Sequence, residues 1–250
     1  TLIGPFTQIL TMADLPEAGP IADEQLQVLE DAGVLMSNGE IIRVDDYIKL
    51  TQEAEQYDYA IETIDEPLVL LPGFIDAHTH ICFAGSRAND YAMRVAGKSY
   101  LEIARGGGGI LDSVRKTREA TVIELVELLK QRCDRHLSEG VTTCEVKSGY
   151  GLSVEQEIKM LEAIQLVNKH HDLDLVPTCL AAHMRPPEFT NSKAYLQTVV
   201  DELLPALKEQ NLATRVDIFI EDTAFTEEES AEYLLTAKKM GFDITVHADQ

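Results

Sequence analysis

Pro72-Gly73-Phe74-Ile75-Asp76-Ala77-His78-Thr79-His80 is a short apolar run that ends in polar residues at alternate positions. Pro-Gly punctuates the chain, and the run behind it has strand length. Side chains two apart on a strand share a face, so His78 and His80 project side by side, roughly 6.5–7 Å apart along the chain. Two imidazoles in that relation can share one divalent ion. A single histidine there would read as a chance polar residue at a strand end; two at this spacing favour the ligand reading.

From residue 72 onward the same unit recurs. Strand-like runs stand at Phe74–His80, Val141–Val146, Leu175–Ala182, Val216–Ile220 and Phe242–His247, each interval long enough for a helix. Thr121…Glu124, Ser153…Gln156 and Thr226…Glu229 have the spacing of capping boxes, and Gly140 and Gly241 follow helical runs as left-handed stops. Val122, Leu125, Val126, Leu129, Cys133 and Leu137 form one apolar helical stripe, which is core. Strict βα alternation gives an α/β fold with a parallel sheet, doubly wound or closed as a (β/α)8 TIM-type barrel. Polar residues decide between the two. They stand at the C-terminal tips of all five strands: His78 and His80, Glu145 and Lys147, His183, Glu221 and Asp222, His247 and Asp249. Functional groups gathered from several strand ends are what a barrel rim supplies, and the Gly-rich dinucleotide fingerprint is missing. Residues 72–250 are therefore expected to form a barrel domain. Residues 1–71 read as a separate β-rich unit in which Asn38-Gly39, between two apolar runs, turns a hairpin.

Composition narrows the partners. The 43 acidic against 21 basic residues give a net charge of −22, which repels phosphate backbones and anionic lipid headgroups, so neither nucleic acid nor a membrane surface is expected. Cys82, Cys133, Cys144 and Cys179 contain no CxxC pair and read as reduced, mostly buried thiols. The apolar stretch Leu68–Ile75, broken by Pro72-Gly73, is too short to span a bilayer, and the first residues lack a basic patch followed by an apolar run. A cytoplasmic location is the default expectation.

The blocks His78-Thr-His80-Ile-Cys-Phe-Ala-Gly-Ser-Arg87, Gly106-Gly-Gly-Gly-Ile110, Gly140-Val-Thr-Thr-Cys-Glu-Val-Lys-Ser-Gly-Tyr-Gly151, Ala182-His183 with Pro186-Pro187-Glu188, and His247-Ala-Asp-Gln250 occur in that order. Together with PGFIDAHTH they resemble the amidohydrolase superfamily and, within it, the imidazolonepropionase family of histidine degradation. The resemblance implies a (β/α)8 barrel with a small β-sandwich built from both chain ends, residues 1–71 being its N-terminal part. It implies His78, His80 and His247 as ligands of one Zn2+ or Fe3+ per chain, with an Asp of the eighth strand as the fourth. It places Arg87, Tyr150, His183 and Gln250 around a small anionic substrate, with His183 also the visible candidate for catalysis, and leaves a homo-oligomer open. The implied reaction is hydrolysis of the ring amide of 4-imidazolone-5-propanoate to N-formimidoyl-L-glutamate. The residue types suit these roles: a guanidinium fork fits a carboxylate, and the glycines flanking Tyr150 let its loop bend over a pocket.

Two other readings were weighed. Related deaminases carry a proton-shuttling Glu where this chain has Gln250, and an amide cannot exchange a proton in that role. A non-catalytic scaffold on the same fold is disfavoured by retention of all three imidazoles. Gly106–Gly109 lacks the lead-in strand and the Gly-Lys-Ser/Thr of a phosphate loop. Lys147 follows the second strand, whereas the superfamily's two-metal enzymes carry their carbamate lysine on the fourth, so one metal is favoured. His136, His170 and His171 read as structural or exposed. Five strands would leave a bare edge, so the barrel is expected to be incomplete at the C-terminal end of this sequence.

Overall fold

The computed structural model describes residues 1–250 except Tyr100, Leu101, Ala104, Arg105, Asp222, Thr223, Asp249 and Gln250. The chain divides into two compact units, Thr1–Gly73 and Phe74–Gln250.

The first unit is a five-stranded sheet. Strand β1 (Leu2–Leu10) pairs antiparallel with β2 (Val28–Ser37) and parallel with β4 (Ile61–Thr63) and β5 (Val69–Leu70), while β3 (Glu40–Asp46) lies outside β2. The β2–β3 hairpin turns on Asn38 and Gly39 at φ of +52° and +81°, the positive values that an Asn-Gly pair tolerates. Helix α1 (Tyr47–Gln56), for which the sequence reading made no provision, starts where the Asp46 side chain accepts from Lys49 N at 3.0 Å. It buries Leu50 and Ala54 against Leu2 and Leu35.

The second unit is a parallel sheet in the order β10-β9-β8-β7-β6, every strand beside its neighbour in sequence. Its strands are β6 (Phe74–Thr79), β7 (Val141–Lys147), β8 (Asp174–Ala182), β9 (Arg215–Ile220), β10 (Asp243–Ile244) and β11 (His247–Ala248). The last two form the expected fifth strand, interrupted at Thr245-Val246; both pair with β9 in one register, Ile244 beside Val216 and His247 beside Phe219. Helices α2 (Ala88–Val95), α3 (Ile110–Glu119), α4 (Val122–Ser138), α5 (Val154–Asn168), α6 (Ser192–Thr198), α7 (Leu204–Glu209) and α8 (Glu227–Lys239) fill the crossovers.

One face of this sheet is the core. Leu125, Leu129 and Cys133 of α4, Met160, Leu161 and Ile164 of α5, and Cys144, Val146, Val216 and Ile218 of the strands join in one apolar cluster. The alternate strand positions carry Glu145, Lys147 and Asp217 to the other face, as the two-residue period requires. Thr121 with Glu124 and Thr226 with Glu229 form reciprocal capping boxes. The one read at Ser153 does not form: Ser153 makes no side-chain cap bond, and the nearby N–H donors of the preceding loop go instead to the buried carboxylate of Glu157. Among the described residues no helix is long and apolar enough to cross a membrane.

Candidate active site

Alternation along β6 puts His78 and His80 on the inner face at the C-terminal end of the sheet, with ring centroids 5.2 Å apart and their Nε2 atoms 3.2 Å apart. His247 joins them from β11, 5.3 Å from His78 and 5.7 Å from His80 between centroids. His183, just past β8, stacks on His80 at 5.2 Å and lies 5.8 Å from His247. Tyr150, from the loop after β7, closes this group at 5.4 Å from His183 and 6.3 Å from His80. Four histidines and a tyrosine from four strand ends thus meet across 169 positions of sequence.

Two of the rings, His247 and His183, are held from behind. His247 Nδ1 meets Asp217 Oδ2 at 3.1 Å, and its face stacks on Phe219 at 4.7 Å. A carboxylate only accepts, so Nδ1 carries the proton and Nε2 keeps its lone pair for the site. Asp217 in turn accepts from Lys147 Nζ at 2.7 Å, and the same ammonium reaches Glu145 at 2.7 Å, whose Oε1 also accepts from Thr178 Oγ1 at 2.7 Å. Lys147, Glu145 and Asp217 are all buried. Burial alone would raise the Asp217 carboxyl, but the bonds from His247 and Lys147 outweigh it and hold it at about 2. An ammonium gripped by two carboxylates is not presented for carbamate formation, so Lys147 is a structural counter-ion of this site.

His78, His80 and His183 are held toward the neutral form. Burial first, then the neighbouring His183, His247 and His78, press His80 down to about 3. Burial likewise lowers His183 to about 4, against the opposing effect of its bond to Gly149 O. His78 is lowered for the same first reason, with Lys147 and His247 adding to it. Tyr150 is raised by burial, which Arg87 and Arg132 partly offset, so its phenol stays a donor.

The donor set fits a metal ion in chemistry. Two nitrogens about 2.0–2.1 Å from one tetrahedral ion stand roughly 3.3 Å from each other, close to the His78–His80 separation, and burial holds His78 and His80, two of the three imidazoles, toward the neutral form that ligation needs. His80 Nδ1 is buried without a partner. Among the described residues no three His, Cys, Asp or Glu side chains close around a single point, so these three form an open array and not a finished ligand cage.

Arg87 caps α2 and is only partly exposed; its Nε donates to Asp90 Oδ2 at 2.6 Å, leaving both terminal nitrogens for another partner. The same Asp90 oxygen accepts from Gly109 N at 2.9 Å, which ties the end of the Gly106–Gly109 run to the Arg87 segment. Gln250 lies outside the described residues, as do Asp222 and Asp249. His136 bonds Arg132 O within α4 and His171 bonds Asp134, both apart from the four-histidine group. Asp217 and Phe219 are not among the site residues expected from the sequence, because Val216–Ile220 reads as a plain apolar strand. An acidic residue two places before an aromatic on one strand face was the available signal.

No family model matches the chain. It is 45% identical over 255 residues to an imidazolonepropionase of Bacillus mycoides, covering 100% of this chain and 58% of that protein. To an imidazolonepropionase of Shewanella sediminis it is 41% identical over 248 residues, covering 98% of this chain and 60% of that one. The chain thus spans under two thirds of the length of these curated relatives. Among solved structures, E. coli guanine deaminase superposes at a TM-score of 0.62 with 12% identity, over 98% of this chain and 52% of that one, a likeness of fold alone. The chain is a sequence relative of the imidazolonepropionases, and its second unit is a partial barrel of the amidohydrolase fold.

Proposed function

We propose that this chain carries the histidine-bearing part of a metal-dependent hydrolase that opens the ring amide of 4-imidazolone-5-propanoate to give N-formimidoyl-L-glutamate. The observation that carries the reading is the meeting of His78, His80, His183 and His247 at one rim of the parallel sheet. His78, His80 and His247 are the proposed ligands of one Zn2+ or Fe3+. Such an ion, when bound, lowers the pKa of water to about 7 and polarises a carbonyl oxygen.

The remaining roles follow from hydrogen-bond direction. Gly149 O can only accept, so His183 holds a proton on Nδ1, which leaves Nε2 as the ring's free acceptor. That atom can take a proton from the attacking water. Because burial disfavours the charged ring, the imidazolium so formed gives the proton up readily to the leaving ring nitrogen. The Tyr150 hydroxyl donates to the substrate. Arg87, its Nε already occupied, offers its terminal fork to the propionate carboxylate. Gln250 is assigned to orienting the ring, since an amide cannot relay a proton.

The test is metal analysis together with turnover of the imidazolone by the full natural chain. About one ion per chain, lost with activity in His78→Ala/His80→Ala, is the expected result. Full activity in metal-free protein would refute the reading.

A further inference from the structure

The mechanism leaves one buried carboxylate unused. Glu157, on the first turn of α5, is fully buried, yet it forms no ion pair among the described residues. Its Oε2 accepts from Gly149 N at 2.9 Å, and its Oε1 from Gly151 N at 2.8 Å and Leu152 N at 2.7 Å. These donors belong to the irregular segment 148–152, which links β7 to α5 and carries Tyr150. The carbonyls of the same segment are taken on the other side: Gly151 O accepts from Arg118 Nε at 2.6 Å, Leu152 O from Arg118 Nη2 at 3.2 Å, and Gly149 O is the partner of His183 Nδ1 at 3.0 Å.

Buried non-regular backbone must have its polar groups satisfied, and here a single side chain satisfies three N–H groups. The segment also has little freedom to settle elsewhere. Gly149 sits at φ +104°, and a Cβ there would stand 2.8 Å from Leu180 O; Leu152 is held at φ +52°. Tyr150 therefore faces His80 and His183, and Gly149 O faces His183 Nδ1, because the loop between them hangs on one carboxylate.

We infer that Glu157 is a positioning residue that sets both the place of Tyr150 and the tautomer of His183. The inference rests on the proposed roles of those two residues. A glutamine has one acceptor oxygen where Glu157 uses two, and its amide would point donors at donors. Loss of the carboxylate should then move the loop, release Gly149 O from His183, and let the imidazole proton distribute between both nitrogens.

The test uses Glu157→Gln in the full natural chain, with two readouts. Nitrogen NMR of His183 in metal-free protein should show the Nδ1–H tautomer in wild type and a mixture in the variant. Steady-state kinetics should show kcat/KM down by about tenfold to a hundredfold, the usual cost of roughly 1 Å of misplacement, and Tyr150→Phe should cost less in the Glu157→Gln background than in wild type. If Glu157→Gln does not fold, Glu157→Asp, whose shorter carboxylate cannot reach all three N–H groups at once, should give the same changes in smaller measure. Unchanged His183 resonances and kcat/KM within about twofold, while His183→Ala and Tyr150→Phe each cut activity, would overturn the inference and leave the function standing. Full activity in both His183→Ala and Tyr150→Phe would overturn the functional reading and the inference with it.

Discussion

The two faces of the parallel sheet are built from the same strands and are both buried, but they solve burial in opposite ways. On the helix-covered face Cys144, Val146, Val216 and Ile218 interdigitate with α4 and α5, and dispersion and the hydrophobic effect hold them. On the inner face Glu145, Lys147 and Asp217, one residue out of phase, are as deeply buried and are held by each other, by Thr178, by His247 and by the Ile218 N–H. The first face tolerates exchange of one apolar group for another of like volume. The second does not, since removing any member strands a charge. The four histidines stand at the rim of the face where burial is electrostatically expensive, and there Gly149 O and Asp217 each take the Nδ1 side of a ring, His183 and His247.

The largest effect that could break this contrast is on the rim itself. His78→Ala/His80→Ala should take bound metal from about one ion per chain to none and abolish turnover, while the melting temperature of the metal-free protein stays near that of metal-free wild type. Elemental analysis beside calorimetry checks both halves.

Next in size is a matched pair across the sheet. Lys147→Met leaves two buried carboxylates without their cation and should lower stability by about 3–5 kcal/mol in urea titration. Leu129→Ala, from the fully buried stripe of α4, should cost a similar 2–5 kcal/mol or so. Only the first should also weaken metal affinity, because only Lys147 fixes Asp217 behind His247. Equal loss of metal affinity in both variants would erase the distinction between the faces.

The pH dependence sharpens it further. His183, held at about 4 when folded, titrates near 6.5 in the unfolded chain, so between those values the unfolded chain binds a proton that the folded one refuses. Its contribution is therefore complete above pH about 6.5 and is lost as pH falls toward 4, by about 1.4 kcal/mol per pH unit for each such imidazole. His80, at about 3, adds to the same slope and extends it, and Asp217 adds a further loss between 3.8 and about 2. Denaturant titrations of metal-free protein across this range should show the slope in wild type and a shallower one in His183→Ala.

The smallest effect concerns Arg87, at the start of α2. Arg87→Ala should raise KM about tenfold to a hundredfold, the worth of a charge-assisted bidentate pair, with a lesser change in kcat. A tail-less imidazolone should be indifferent to the substitution; kinetics with both substrates decide it.

Much of this was legible in the sequence, and the reason is periodicity. The βα repeats, the Asn38-Gly39 hairpin, two of three capping boxes and the pairing of His78 with His80 all depend on residues fewer than five apart, whose relation local backbone geometry fixes. The meeting of His78 and His80 with His183 and His247 is expected from their places at the C-terminal tips of successive strands, but strand order and curl set the distances between them. What tertiary structure alone decided was the support. Asp217 behind His247, Lys147 between two carboxylates instead of free for a carbamate, and Glu157 beneath the Tyr150 loop in place of a Ser153 capping box are contacts between elements. A buried polar group must find a partner wherever packing brings one, and no spacing along the chain records which group that will be.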